Sequence, residues 1–265
     1  MLFSLPTEVQ LDIFKLFNYE ELCSFRNTNL YFRNFINKFE GELAREKFET
    51  FSIEYFDNTL SKRISYKLFN SRDFDFAFFA ERHKEVNEQI EQKWSEGLQN
   101  PISLYLSDEG LESSNAVICI DKDDDNKTPR IVLELPTIIK CKKDIKIVYY
   151  YLNKLFNCSF YSGFLRKFTF NLELIELLFG KTPKLFFYGS MFKAYNTENL
   201  LKFVSNSLIS GIVDIKFPHV NNTEEYKKIL YKIFLNGDKF GGVSLSFDEM
   251  PELFDFVINV SFFVC

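Results

Sequence analysis

The sequence predicts an α+β protein with more than one domain: a small N-terminal module of three helices, a helical linker, and an α/β C-terminal domain that resembles an irregular solenoid. Three observations predict this organisation. Helix signals recur three times before residue 40, the apolar period becomes strand-like after Pro101, and strand-like and helix-like segments then alternate. The predicted boundaries are therefore residues 1–45, 46–100 and 101–265.

The first helix is predicted by apolar residues at the three-and-four spacing of an amphipathic helix. These residues are Val9, Ile13, Leu16 and Phe17. Pro6 suits the start of a helix, where the first N–H groups have no partner. Thr7 and Gln10 have the spacing of a capping box, so we expect the helix to begin there.

Two further helices are predicted close behind the first. Asn18 and Glu21 repeat the capping signal before a short segment with Leu22 and Phe25. A third, aromatic-rich pattern contains Leu30, Phe32, Phe35, Ile36 and Phe39. Domains near this size usually need a metal, a disulfide or a partner, because they bury too little apolar surface alone. We therefore expect a partner to cover this module.

The N-terminal segment resembles an F-box over residues 3 to about 40. The residues that carry the resemblance are Leu5-Pro6-x-Glu8-Val9, Ile13-Phe14, Leu16-Phe17, Glu21-Leu22, Phe25-Arg26-Asn27-Thr28-Asn29 and the aromatic Phe32. The chain departs from the family where it has Asn27-Thr28, since a Val-Cys pair is common there, and at Phe32, where Trp is common.

The resemblance implies a non-catalytic substrate-recognition subunit of a cullin–RING (SCF-type) ubiquitin ligase, located in the cytoplasm or nucleus. Such a subunit binds a Skp-family adaptor directly, a cullin scaffold indirectly, and a protein substrate that the sequence does not identify. The implied adaptor-binding residues are Leu5, Pro6, Glu8, Val9, Ile13, Phe14, Phe17, Leu22, Phe25, Arg26, Asn27 and Phe32. The alternatives are a stand-alone interaction or scaffold protein, and a helical cap on a larger domain.

The linker is predicted to be mostly helical. Residues 40–51 are rich in helix formers, whereas residues 52–71 show no clear period. Residues 73–97 carry apolar side chains near every third or fourth position, which predicts a long amphipathic helix that includes His83 and ends near Trp94. This helix would lie on the C-terminal domain or form a coiled-coil dimer, and the inconsistent charge pattern favours the first.

Short β-branched segments open the C-terminal domain. Strands are predicted at 102–106, 116–120 and 131–135. The intervening Asp121, Asp123 and Asp125 imitate a calcium loop, but Asn126 and Val132 stand where Gly and Glu are needed. An exposed hairpin loop is therefore the favoured interpretation.

Helices and strands are then predicted in alternation. Helices are predicted at 145–156, 172–179, 197–209 and 223–235, and strands at 165–170, 185–188, 212–217 and 243–247. The spacing of the last three strands is near that of leucine-rich solenoid units, although an α/β sandwich also fits. Exposed aromatic residues on these strands, namely Phe187, Tyr188 and Phe217, are candidates for substrate contact, with core packing as the alternative.

Composition narrows the function classes. A net charge of −5 without a basic stripe argues against nucleic-acid binding. Five scattered cysteines favour a reducing compartment. Glu8 and Asp12 interrupt any signal peptide, and apolar runs are too short to cross a bilayer. The two histidines lack the spacing of zinc ligands, so no metal is predicted. The sequence also shows no nucleotide-binding loop and no nucleophile motif, so we expect no cofactor and no enzymatic activity.

Overall fold

The computed structural model describes residues 4–55, 66–70, 74–77, 80, 84–93, 101–107, 115–122, 129–165, 167–180, 182–195, 198–217, 223–235, 239–247 and 257. The helices within these ranges are α1 Thr7–Phe14, α2 Tyr19–Arg26, α3 Leu30–Lys38, α4 Lys84–Lys93, α5 Lys142–Phe156, α6 Leu172–Phe179, α7 Glu198–Ser207 and α8 Thr223–Leu235. The strands are β1 Glu46–Tyr55, β2 Tyr66–Asn70, β3 Ile102–Ser103, β4 Tyr105–Leu106, β5 Ala116–Asp121, β6 Arg130–Glu134, β7 Ile138–Ile139, β8 Cys158–Leu165, β9 Thr169–Phe170, β10 Leu185–Tyr195, β11 Leu208–Phe217 and β12 Phe240–Phe247. The mixed α/β class and the three-helix start are confirmed.

The N-terminal helices begin at polar caps in two of three cases. Asn18 and Glu21 form the predicted capping box of α2, and the Asn29 side chain accepts a hydrogen bond from the Phe32 amide at the start of α3. The predicted capping box of α1 is wrong. Thr7 already lies inside the helix, and the Gln10 amide group instead donates to the Leu5 carbonyl at 2.7 Å.

A cluster of phenyl rings forms the core of this module. Phe14 is fully buried, and its ring lies 5.3 to 5.7 Å from four other Phe rings, measured between centroids. Those rings belong to Phe17, Phe25, Phe32 and Phe35. Leu43, just before β1, completes the same core. The three helices therefore have an apolar core of their own, separate from that of the sheet.

An eight-stranded mixed sheet forms the rest of the described fold. Its order is β12-β11-β10-β8-β1-β5-β6-β2, with β1 parallel to β8 and antiparallel to β5. The helix predicted over 40–51 is wrong, because residues 46–55 form β1 inside this sheet. Phe48, Phe51 and Ile53 are buried in the core, so burial in the sheet outweighs the local helix preference of the segment. Residues 46–55 are thus part of the sheet and not of a helical linker.

The strands β8, β10, β11 and β12 are consecutive parallel neighbours joined through α6, α7 and α8. The strands predicted at 185, 212 and 243 and the helices at 172–179 and 223–235 are confirmed. Strand β8 was not predicted, because the sequence pattern indicated a strand only from residue 165. Gly180 ends α6 in a left-handed conformation with φ of 69°, which glycine adopts without strain.

The helices cover one face of this sheet. Buried residues of β1, β8, β10 and β11 share one core with α5, α6, α7 and α8. Neighbouring positions of the strands point the other way, and Tyr161, Tyr188 and Ile212 are exposed there. Helix α4 also packs on this domain, because Ile90 is buried in the same core and Glu91 bonds to Lys142 and Lys146 of α5.

Two predicted features lie outside the described residues. His83 and Trp94 flank the described helix α4, and most of the proposed loop at 121–126 is likewise outside. Asp121 is described, and it pairs with Arg130 at 2.7 Å. Among the helices in the described ranges, none combines the length and the apolar composition that a bilayer crossing requires.

Candidate protein-binding surfaces

The first candidate surface is the outward side of α1. Val9 and Ile13 are four residues apart, so they lie on one side of α1, and Leu5 before the helix and Leu16 after it continue this spacing at intervals of four and three residues. Leu16, in the turn after the helix, is 82% exposed, and Val9 is 43% exposed. The opposite side carries the buried residues Gln10 and Phe14. The helix therefore packs one side into the core and leaves an apolar side open.

The start of α3 carries two further exposed side chains of the same module. Leu30 is 67% exposed, and the neighbouring Tyr31 is 41% exposed. The Tyr31 hydroxyl donates to the Gln10 side-chain oxygen at 2.7 Å, which holds Tyr31 against α1. We call the set Leu5, Val9, Ile13, Leu16, Leu30 and Tyr31 the N-terminal apolar surface.

The residues predicted to contact an adaptor fall into three groups. Pro6, Glu8, Val9 and Asn27 are exposed, while Leu5, Ile13, Phe17, Phe25 and Arg26 are half-buried. Phe14, Leu22 and Phe32 are buried. These three are core residues of the module and not contact residues, because the phenyl cluster encloses their side chains.

Sequence reasoning missed three residues of the N-terminal apolar surface as contact candidates. Leu16 belonged to the predicted apolar pattern of α1, but only the fold shows that the helix ends before it and leaves it exposed. Leu30 and Tyr31 follow the cap residue Asn29, and their outward position depends on how α3 packs. The signal available in the sequence was a pair of large apolar residues in a first helical turn.

The module is attached to the sheet near the start of β1. The Tyr19 hydroxyl donates to the Glu46 carboxylate at 3.1 Å, and the Asn157 amide donates to Glu40 at 3.3 Å. The Arg45 guanidinium donates to the Phe156 carbonyl. Burial raises the pKa of Glu40, with nearby Arg and Lys side chains opposing this shift. These polar contacts fix the module beside β1 and the end of α5.

The second candidate surface is the side of the sheet that faces away from the helices. The Tyr161 and Tyr188 rings meet edge to face with centroids 5.8 Å apart. The Lys47 ammonium lies 5.1 Å from the centroid of the Tyr188 ring, and the Arg45 guanidinium lies 3.8 Å from that of Phe186. We call Lys47, Tyr161, Phe186 and Tyr188 the open sheet face.

The three predicted substrate-contact residues have different positions. Tyr188 is 50% exposed on the open sheet face. Phe187 is a correction: it is buried against Phe51 and Phe160, because it points to the helix-covered side. Phe217 belongs to β11, but its side chain lies outside the described residues.

Two of the four described cysteines have thiols with a raised pKa, while Cys141 is exposed. Burial raises the pKa of the Cys119 thiol to about 12, with a further contribution from Glu54, and it raises that of Cys158 to about 12. Both thiols are therefore protonated near neutral pH and are poor nucleophiles. Within the described ranges, no three His, Cys, Asp or Glu side chains come together as a metal site would require.

Comparison with protein families places the C-terminal part of the chain. A family described as "Domain of unknown function (DUF8381)" matches residues 80–218, from just before α4 to just after β11. The match does not include the three N-terminal helices. Comparisons with curated proteins and with solved structures gave no match. Because the matched range covers more than half of the chain, the protein belongs to the DUF8381 family.

Proposed function

We propose that this protein is a substrate-recognition subunit of a cullin–RING ubiquitin ligase. The N-terminal module binds a Skp-family adaptor through the N-terminal apolar surface, and the C-terminal domain binds a protein substrate. The observation that carries the proposal is the exposure of Leu16 and Leu30 on a module whose own core is already complete. Such complexes work in the cytoplasm and nucleus, which agrees with free thiols at the four cysteines that the structure describes.

The physical case starts from the free energy of apolar burial. Fully burying a leucine side chain contributes about 1.5 to 3 kcal/mol, so Leu16 and Leu30 represent unused binding free energy in the isolated chain. A few well-packed anchors usually dominate such an interface. Since the phenyl core fixes the three helices, these side chains are held in place before a partner arrives, and binding requires little further ordering.

The C-terminal domain would present the substrate with a rigid sheet. Tyrosines combine a large apolar ring with a polar hydroxyl, which suits contact surfaces that are also exposed to water. The consecutive parallel strands β8, β10, β11 and β12, with helices on one side, support an irregular solenoid, whose strand side would bind the substrate. The ligase would act by holding a substrate lysine close to the ubiquitin carrier, which raises the effective concentration of the lysine.

Co-purification of the full chain with a Skp-family adaptor and a cullin tests the proposal. Leu16→Ser combined with Leu30→Ser should weaken adaptor binding by up to about a thousandfold and so abolish recovery, because two anchors of about 2 kcal/mol each contribute about 4 kcal/mol. Leu235→Ser is a matched control, since Leu235 is 60% exposed on α8, away from the module. Surface changes of this kind alter stability by only about 0.5 kcal/mol.

The outcomes separate the proposal from a stand-alone scaffold protein. A folded, monodisperse wild-type chain that recovers no adaptor contradicts the ligase role. Equal adaptor recovery by wild type and the double variant would assign adaptor binding to another surface. Recovery that falls in the double variant and not in Leu235→Ser supports the N-terminal apolar surface.

A further inference from the structure

A cavity lies where β1 and β8 end. These adjacent parallel strands finish at Tyr55 and Leu165 on the same edge of the sheet. After β8 the chain continues through β9 and α6 to β10, on the side away from β1. After β1 the next described strand is β2, at the opposite end of the sheet. Connections that leave two neighbouring parallel strands in opposite directions leave a crevice between them, and ligands of α/β sheets commonly bind there.

The cavity has a volume of about 390 Å³, which lies within the range of small-ligand sites. Its described lining residues are Ser52, Ile53, Glu54, Tyr55, Phe164 and Lys167. Ser52 is almost fully buried, Glu54 and Phe164 are half-buried, and Lys167 is exposed. Ser52 pairs with Phe164 across β1 and β8, and side chains alternate along a strand, so Ser52, Glu54 and Phe164 lie on the same face. The Glu54 carboxylate and the Phe164 ring therefore line the same side of the cavity.

Arg130 neutralises the negative charge of Glu54 only in part, because it also pairs with Asp121. Arg130 binds Asp121 through two nitrogen atoms, each 2.7 Å from a carboxylate oxygen. The same guanidinium lies 3.4 Å from Glu54, a much weaker contact. The Arg130 guanidinium thus lies near two carboxylates, and its shorter hydrogen bonds go to Asp121. The Ser52 hydroxyl donates to Glu54 at 2.5 Å and fixes its orientation without supplying charge.

The other lining groups are compatible with a cation. Phe164 supplies an aromatic ring on the same face as Glu54, and the face of such a ring attracts ammonium and guanidinium groups. Lys167 would oppose a cation at the outer end, but Lys167 already makes an interaction within the chain. A ligand with a positive group on an apolar stem fits this lining. Its positive group can reach the Glu54 carboxylate, and its stem can lie against the Phe164 ring.

We propose that this cavity binds a lysine or arginine side chain, with the cationic group at Glu54 and the methylene stem beside Phe164. That the side chain belongs to the ligase substrate rests on the proposed function. Binding of the side chain itself does not depend on it. The cavity would then select substrates with an exposed basic residue, while the open sheet face contacts the surrounding surface.

Calorimetric titration of the full chain with three capped amino acids tests this. The probes are Nα-acetyl-arginine amide, the corresponding citrulline amide, which has the same shape without charge, and the glutamate amide. Wild type should bind the arginine probe about tenfold more tightly than the citrulline probe, since a hydrogen bond to a charged group is worth roughly that factor. Glu54→Gln should remove this preference. Glu173→Gln, an exposed carboxylate on α6, should preserve it.

Several results would overturn the proposal. These are equal binding of the arginine and citrulline probes, tighter binding of the glutamate probe, an unchanged preference in Glu54→Gln, or no binding of any probe. If Glu54→Gln does not fold, the preference of wild type between the two isosteric probes decides, together with weaker arginine binding by Phe164→Leu. Because the titration needs no adaptor, its failure is distinguishable from failure of the ligase proposal.

Discussion

The N-terminal module and the sheet domain differ in the apolar side chains that they leave exposed. The module concentrates Val9, Leu16, Leu30 and Tyr31 within one short segment. The sheet domain exposes single aliphatic residues far apart in the sequence, and its paired exposed rings are the tyrosines Tyr161 and Tyr188. Scattered apolar residues are normal on a protein surface, whereas a concentrated patch indicates a contact site. Under the proposed function, the two regions therefore suit different partners: the module a stable apolar contact, and the sheet a more hydrated contact that exchanges more readily.

The largest expected effect comes from deleting one ring in each core. Phe14→Ala and Phe160→Ala should each lower the free energy of unfolding by about 3 to 5 kcal/mol, because both rings are fully buried. The two cores are separate, so Phe14→Ala should reduce amide-exchange protection in α1 to α3 and leave β1 and β8 protected. Hydrogen exchange read by mass spectrometry measures this. Equal loss in helices and strands would show that module and sheet unfold as one unit.

A smaller effect is expected from removing one helix cap in each region. Asn18→Ala removes an exposed cap and should cost about 1 kcal/mol. Asn171→Ala should cost more, about 2 to 3 kcal/mol, because its buried amide also donates to the Ser103 carbonyl at 3.0 Å and would leave that group unsatisfied. Urea denaturation measures both changes. A larger loss for Asn18→Ala would contradict the difference in burial.

The smallest effect is expected from ion pairs. Hydrogen bonds from Lys142 and Lys146 lower the pKa of Glu91 from its ordinary 4.5 to about 2. A carboxyl with a lowered pKa in the folded state stabilises the fold above its ordinary pKa, and this contribution is lost as pH falls from 4.5 towards 2. Glu91 is 43% exposed, so Glu91→Gln should cost less than about 1 kcal/mol at pH 7.

The module provides the control for this ion-pair prediction. Glu42 pairs with Lys15 at 3.4 Å, and both side chains are well exposed. Glu42→Gln should therefore change stability at pH 7 by even less than Glu91→Gln. Thermal unfolding at pH 7 and at pH 3 measures both variants. A Glu91→Gln penalty that stays constant down to pH 3 would rule out the assigned charge pairing.

Helices with clear caps and a clear apolar period were predictable from sequence. Leu172–Phe179 and Thr223–Leu235 lie where the pattern placed them. Strand β1 was not predictable, because its Glu and Lys residues have good helix propensity and its strand conformation depends on pairing with distant β5 and β8. Strand β8 was missed because Gly163 and Ser162 interrupt its apolar pattern. A strand whose conformation depends on pairing with distant segments therefore shows only a weak strand pattern in its own residues.

The candidate surfaces were only partly predictable for a related reason. A sequence pattern identifies large apolar residues but does not show which side of a helix meets the core. Phe14 and Leu16 are two positions apart in the same predicted helix, yet Phe14 is fully buried and Leu16 is the most exposed large apolar residue described. The cavity beside Glu54 gave no sequence signal, because its lining comes from two strands that meet only in the folded sheet.

The position of β1 between two later strands also has a consequence for the order of events during synthesis. The Ser159 hydroxyl donates to the Glu46 carbonyl, and these residues are 113 positions apart. Contacts over such separations form slowly, whereas the three short helices contact one another locally. On the ribosome, the first three helices would be able to fold before β8, the parallel neighbour of β1, has been translated. A nascent chain would then expose the N-terminal apolar surface early. If this surface binds an adaptor as proposed, binding at that stage would shield it from aggregation.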